Sequence, residues 1–173
     1  MKKLFALAFA AASTLVAHAQ YRTVDMTVFG MDCAPCAHAV HVSVKGIKGV
    51  DTVDVNLNTG LVQIKLAAGN TAGMRQMDEA IEKNGFTHKD ATITARGKIT
   101  GAANALFLEV AGTSDRYALR PLDTRPTQPA QAAQPVDTTA LLGKIVDVEG
   151  LLPQAAKGKV PDVLHYKSIA EVK

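Results

Sequence analysis

The stretch GMDCAPCAHAV, residues 30–40, contains both cysteines of the chain, Cys33 and Cys36. Residues 22–29 before it alternate apolar and polar side chains, which predicts a half-buried strand. Residues 37–45 after it favour a helix that a glycine ends. The two cysteines are therefore expected on the loop between a first strand and a first helix. The elements that follow decide which fold holds this loop.

The next residues supply a hairpin, a second helix and a last strand. Residues 50–57 and 61–66 alternate in the same way on either side of a turn, which predicts a hairpin. Residues 71–84 favour a helix that Thr71 caps, with apolar side chains on one face. Residues 86–93 can form a fourth strand. The order β-α-β-β-α-β predicts a ferredoxin-like unit.

The remainder, residues 94–173, has a different composition. Its apolar pieces are typical of strands, and residues 121–137 hold four of the seven prolines, which predicts an exposed loop. One arrangement is a small, mostly β domain of about five strands, OB-like in form, with this loop as an excursion. In the other, the proline-rich stretch is a linker, and residues 138–173 are then too few to hold a core alone. The first is favoured, which gives an α+β chain with domains at 20–93 and 94–173.

The first 19 residues match a secretory signal peptide. Two lysines precede an apolar run at residues 4–16, and Ala17-His18-Ala19 places small residues where a signal peptidase cuts. The run is shorter than the ~20 apolar residues of a membrane span. Cleavage after Ala19 predicts a periplasmic protein without a membrane span. An N-terminal anchor that is left uncut is the alternative.

The charge balance argues against one class of partner. The formal net charge is +3, with 7 basic and 8 acidic side chains in residues 20–93 and 10 and 8 in residues 94–173. Neither half is the basic patch that nucleic acid needs, and the chain has no Trp to stack on bases. No catalytic triad, phosphate loop or GxGxxG pattern stands out, so an enzyme is not expected.

A CxxC pair serves in several kinds of site. Covalent haem attachment needs His directly after the second cysteine, but Ala37 stands there. A thioredoxin-type redox pair suits an oxidising compartment, but the order of elements differs and no Trp accompanies the pair. A disulfide across so short a loop would stabilise the fold weakly, although it can form as a resting oxidised state.

A metal clamp fits the pair best. Two thiolates are soft ligands that select Cu(I), Zn(II), Cd(II) or Hg(II) over hard cations. Cys36 is expected near a helix N-terminus, where free N–H groups and the helix dipole favour a thiolate, and Pro35 presets a helical φ. Two ligands on an exposed loop leave the coordination shell open, so that a partner's thiols can enter before the first pair leaves.

Three motifs carry a family resemblance. GMDCAPC (30–36) after the first strand, GIKGV (46–50) after the first helix and NGF (84–86) after the second resemble the heavy-metal-associated (HMA) domain. This family includes copper chaperones, the periplasmic mercury-binding protein and the N-terminal modules of metal-exporting P-type ATPases. The resemblance covers about residues 22–92 and does not extend to the remainder of the chain.

The resemblance implies a ferredoxin-like fold, one metal ion bound by Cys33 and Cys36, and docking to a membrane metal transporter or another metal-binding domain. Asp32, next to the first cysteine, resembles a third ligand of zinc-, cadmium- and lead-exporting members. A carboxylate would suit Zn(II) better than Cu(I). An exposed loop carboxylate beside a helix N-terminus is the alternative for Asp32.

The side chains around the motif are interpreted mainly as structural. Met31 is expected to point inward and to fix the loop to the core. Phe86 could shield the thiolates from water or simply pack below the loop. Histidines that share one helix face could enlarge the site but are expected in solvent, namely His38 and His41. Histidines without a metal-spaced partner are expected at the surface, namely His88 and His165.

The sequence thus predicts a secreted protein that carries or sequesters one soft metal ion through Cys33 and Cys36 and passes it on by ligand exchange. Two alternatives stay open. One is a periplasmic thiol-disulfide redox protein that uses the same pair. The other is an interaction module whose β domain binds a partner, with metal binding incidental.

Overall fold

The computed structural model describes residues 20–102, 105–122 and 138–172. The predicted signal peptide and most of the proline-rich segment lie outside these residues. No helix within the described ranges is long and apolar enough to cross a membrane. The elements, in chain order, are β1 Gln20–Phe29, α1 Ala34–Lys45, β2 Val50–Asn56, β3 Leu61–Leu66, α2 Met74–Glu82, β4 Thr87–Ala102, β5 Ala105–Glu109, β6 Arg116–Pro121, a 3-10 turn Thr138–Leu141, β7 Ile145–Leu152 and β8 Val163–Glu171.

The first six elements form the predicted ferredoxin-like unit. Their strands pair antiparallel in the order β2-β3-β1-β4, and the two helices contact each other. Alternate strand residues and one stripe of each helix are buried together, as the period-2 and period-3.6 patterns require. These core residues are Val24, Met26 and Val28 in β1, Val62 and Ile64 in β3, Val40 and Val44 in α1, and Met74, Met77 and Ile81 in α2.

Strand β4 extends beyond the fourth strand that the sequence predicts. It has 16 residues, because buried Ala95 and Ile99 continue the alternation of Ala91 and Ile93. One edge of β4 pairs first with β1 and then with β5, and the opposite edge pairs with β7. The predicted boundary between residues 93 and 94 therefore falls inside a continuous strand.

The remainder of the chain is mostly β, as predicted. Its pairings run β4-β5-β6-β8-β7 and return to β4, so that five strands close on themselves. Gly97 lies where β4 enters this ring, and a Cβ there would come within 2.6 Å of the Glu109 carbonyl oxygen and of Leu108 Cδ1. Only glycine allows the two strands to approach so closely at this point.

A carboxylate from the β5–β6 turn caps the second helix. The helix begins at Met74 with Gly73 as its N-cap, so the prediction that Thr71 caps it is wrong. Gly73 has no side chain to offer, and Asp115 Oδ2 instead accepts the Met74 N–H at 2.8 Å. A Cβ on Gly73 would lie 3.2 Å from the same oxygen, so glycine leaves room for it. A carboxylate at a helix N-terminus is favoured by the free N–H groups and by the dipole.

The same carboxylate binds a buried pair of tyrosines. The Tyr21 hydroxyl donates to Asp115 Oδ2 at 2.7 Å and lies 2.5 Å from the Tyr117 hydroxyl. Burial raises the pKa of Tyr21 well above its ordinary value, and the neighbouring Tyr117 and Asp115 raise it further. Both phenols are therefore protonated at neutral pH and can donate. One network thus joins β1, α2 and the β5–β6 turn.

A second polar link joins β7 to β1 and β4. Asp147 on β7 accepts two hydrogen bonds of 2.8 Å from the guanidinium of Arg96 on β4 and one of 3.1 Å from Arg22 on β1. The hydrogen bonds from Arg96 hold the pKa of Asp147 below its ordinary value. This bidentate geometry fixes the register of β4 against β7.

We predict that Asp115→Ala lowers the free energy of unfolding by about 1–3 kcal/mol, because the helix loses its cap and the Tyr21 hydroxyl loses its acceptor. Urea unfolding followed by circular dichroism measures this. Asp115→Asn, which keeps an acceptor oxygen, should recover part of the loss, and Asp162→Ala at an exposed site is the matched control. A loss for Asp115→Ala within about 0.5 kcal/mol of that control would contradict the capping role.

Candidate metal centre

The cysteine loop follows directly from the end of β1. Gly30 has a φ of +87°, which L side chains rarely adopt, and a Cβ there would lie 3.5 Å from the ring of Phe86. Met31 is only 4% exposed and belongs to the core, which confirms that it points inward. The contacts of Gly30 and Met31 therefore anchor the loop to the core, and residues 32–35 lie at the surface.

The two cysteines lie at the first turn of α1. Cys33 is the N-cap, and its Sγ accepts the backbone N–H of Cys36 at 3.2 Å. Its carbonyl oxygen accepts the N–H of Ala37 at 3.1 Å, which starts the helix. Cys33 is exposed, whereas Cys36 is half-buried and packs against the core. A disulfide joins the two residues across a Cα–Cα distance of 5.1 Å.

The reduced form of this pair would present two adjacent thiolates. Both sulfurs lie where the free N–H groups and the dipole of α1 favour negative charge. Two thiolates form a soft ligand set for Cu(I), Zn(II), Cd(II) or Hg(II). The donor set therefore fits the class of metal that the sequence indicates.

The structure does not assemble a third ligand around the pair. Asp32 is exposed, and no three His, Cys, Asp or Glu side chains within the described ranges are grouped closely enough to hold a metal ion. His38 is exposed and His41 half-buried, and both line a groove between α1 and β2. The role of Asp32 as a ligand stays a prediction.

Asn84 and Phe86 hold the second helix beneath the loop. The Asn84 amide donates to the Ser43 hydroxyl on α1 and to the Ala80 carbonyl oxygen, both at 2.8 Å. Phe86 is half-buried and packs against the core at Gly30. The NGF stretch therefore positions the two helices relative to the cysteine loop.

Sequence reasoning missed one buried ionisable pair. His88, which was expected at the surface, is half-buried, and its Nε2 lies 3.4 Å from Asp78 Oδ1, with side-chain exposures of 11% and 7%. Burial raises the pKa of Asp78 to about 6, because it outweighs the opposite effect of His88. The spacing in the sequence did indicate that Asp78 would be buried. It lies one helical turn after Met74, on the face of α2 that packs into the core.

The loop after β7 covers this pair and the outer side of α2. Pro153 and Pro161 close a small cavity of about 10 Å³ beside the Asp78 carboxylate. Gln154 donates its backbone N–H to Asp90 Oδ1 at 2.7 Å, and Arg75 on α2 donates to the Gly158 carbonyl oxygen at 3.0 Å. One flank of the N-terminal unit is therefore occupied by the β remainder.

Comparisons with known proteins concern the N-terminal unit. A profile of the heavy-metal-associated domain matches residues 25–87. The copper chaperone CopZ of Staphylococcus saprophyticus is 37% identical over 67 residues, which are 39% of this chain and 97% of that protein. CopZ of Staphylococcus aureus strain JH9 is 38% identical over 61 residues, covering 35% and 88%. A solved CopZ metallochaperone structure is 33% identical and covers 38% and 97%, with a TM-score of 0.36.

We predict that Asp78 makes the protein less stable as the pH rises from about 4 to about 6. A carboxyl whose pKa is raised from 3.8 to about 6 binds its proton more tightly in the native state, so native stability falls as that proton leaves. The free energy of unfolding of wild type, measured against pH, should therefore fall relative to Asp78→Asn over this window. The same comparison in a His88→Gln background controls for the histidine, and parallel pH profiles for wild type and Asp78→Asn would contradict the prediction.

Proposed function

We propose that this chain, which belongs to the heavy-metal-associated domain family through residues 25–87, binds one soft metal ion at Cys33 and Cys36 and passes it to a partner. The observation that carries the proposal is the pairing of the two sulfurs at the N-terminus of α1, one exposed and one half-buried. The matching relatives are named copper chaperones, which supports metal binding and transfer.

The transfer we propose is an exchange of ligands without a change of oxidation state. A thiolate of the partner bonds to the metal, and the exposed Cys33 thiolate leaves first because solvent and partner can reach it. A second partner thiolate then replaces Cys36. A dithiol reductant must first open the disulfide, since two electrons and two protons convert it to the pair of thiols.

The choice of metal depends on Asp32. Two thiolates alone suit Cu(I), and the copper chaperone relatives support that ion as the first candidate. A carboxylate added from Asp32 would shift the preference towards Zn(II) or Cd(II). Hg(II), which is also soft, stays among the candidates.

Location and partner are part of the same proposal. A signal peptide cleaved after Ala19 would place the protein in the periplasm, where a membrane metal transporter or another metal-binding domain can receive the ion. No nucleic acid enters this role, and ligand exchange needs no catalytic residues. We propose that residues 94–173 form a β-rich domain, which begins within β4. Its closed order of five strands, with one parallel pair, supports an OB-like barrel.

A thiol-disulfide redox protein is the second candidate. The disulfide between Cys33 and Cys36 favours it, because the same bond would be the oxidised state of a redox pair. The two candidate functions differ in their activity towards a disulfide substrate. A redox protein reduces or oxidises a disulfide substrate in the absence of metal, whereas a metal carrier does not.

We predict that reduced protein from Gln20 onward binds one ion per chain under anaerobic conditions. Native mass spectrometry with Cu(I), Zn(II), Cd(II) and Hg(II) measures the stoichiometry, and a chelator competition gives the rank order of affinities. Cys33→Ser/Cys36→Ser should abolish binding because both soft ligands are lost. Asp32→Ala should weaken Zn(II) more than Cu(I) if the carboxylate is a ligand.

Failure of the reduced wild type to retain any of the four ions would contradict the carrier proposal. Turnover of a disulfide substrate by metal-free protein would then favour the redox candidate. Unfolding profiles of the double variant and wild type serve as the control for an intact fold.

A further inference from the structure

Strand β2 has an open edge. Within the described part of the chain, every other strand pairs with neighbours on both sides, whereas β2 pairs only with β3. Strand β4, the other outer strand of the ferredoxin-like unit, is covered by β7 from Ala91 to Lys98. An open edge presents unpaired N–H and C=O groups to solvent, so that another extended chain can pair with it.

The start of this edge is closed by a lysine. Lys45 at the end of α1 donates its Nζ to the carbonyl oxygen of Val50 at 3.3 Å and also to that of Asp51. No comparable bond covers the outer side of residues 52–56 within the described ranges. The part of β2 that is free to pair is therefore its second half.

The free half of β2 borders a groove against α1. Its lining residues come from both elements, and the cavity measures about 430 Å³, with Ala37, His38 and His41 on one side and Val53, Asp54 and Val55 on the other. Val42, one turn after His38 and on the helix face from which Lys45 reaches β2, is 53% exposed. A strand added to β2 would bury its inward side chains in this groove and against Val42.

The exposed charges on β2 favour a partner strand of opposite charge. Asp51 and Asp54 are exposed, and neither forms an ion pair within the described residues. A second copy of β2 would bring the same carboxylates close to one another, which disfavours self-pairing. A segment with lysine or arginine at alternate positions would instead place cations beside them.

We propose that the free edge of β2 docks an extended segment of a partner protein, with basic side chains alternating with apolar ones. Main-chain hydrogen bonds would give the affinity, and the groove and the two aspartates the specificity. The groove begins one residue after Cys36, so a partner held there would have its own ligands beside the cysteine loop. That last consequence rests on the proposed metal transfer, whereas the docking itself does not.

The test uses capped peptides, matched in length to β2, and ¹⁵N-labelled protein from Gln20 onward. A peptide of alternating lysine and valine should shift the amide resonances of residues 52–56 and 37–42. The alternating glutamate and valine peptide should bind at least roughly tenfold more weakly, because like charges then meet. A lysine–valine peptide that is N-methylated at every residue keeps its charges but loses its donors, and it should not bind.

Protein variants assign the charges. Asp51→Lys/Asp54→Lys should reverse the preference between the lysine and glutamate peptides. Glu79→Lys/Asp162→Lys makes the same change in net charge at exposed sites elsewhere and should leave the preference unchanged. Cys33→Ser/Cys36→Ser should keep peptide binding while losing metal, which separates this proposal from the metal-transfer proposal.

Four results would overturn the docking proposal. They are absence of shifts in β2, equal affinity for the lysine and glutamate peptides, undiminished binding of the N-methylated peptide, and a dimer in analytical ultracentrifugation that the Asp51→Lys/Asp54→Lys variant alters. The last would mean that a second copy of the chain occupies the edge.

Discussion

The hydrogen bond between Asp115 and the N-terminus of α2 connects the two halves of this protein. A helix that begins after Gly73 has free N–H groups, and its N-cap residue has no side chain to satisfy them. The acceptor comes from a turn 41 residues further along the chain, and the same oxygen also holds the hydroxyl of Tyr21 on β1. Together with the uninterrupted course of β4, this contact packs the ferredoxin-like unit against the five-stranded ring.

This connection gives the cysteine loop one covered flank and one open flank. The β remainder occupies the outer side of α2 and the edge of β4, through β7 and the loop that contains Gln154 and Gly158. Helix α1 and strand β2 stay accessible on the other side. Cys33 is exposed, and the groove between α1 and β2 begins one residue after Cys36.

Two buried or half-buried carboxylates show how position decides electrostatics. Asp147 meets the guanidinium of Arg96 directly, so that its pKa falls and it acts as a permanent anion between strands. Asp78 meets the imidazole of His88 at 3.4 Å, and neither of its oxygens has a hydrogen-bond partner within the described residues, so that burial raises its pKa. The first carboxylate fixes a register, whereas the second takes up a proton more readily than an exposed carboxyl.

The sequence by itself determined the local elements and the chemistry of the cysteines. Alternation in the strands, apolar stripes on the helices and the GMDCAPC motif predicted the ferredoxin-like unit, because these periods depend on neighbours a few residues away. The tertiary structure alone decided the cap on α2, the half-buried position of His88 and the closure of five strands around β4. Each of these features joins residues that are far apart in the chain. A local sequence pattern does not predict which distant side chain will bind a free N–H group or cover an imidazole. Which edge of the unit stays open was decided in the same way, since β7 covers β4 and no strand within the described residues pairs with the outer side of β2.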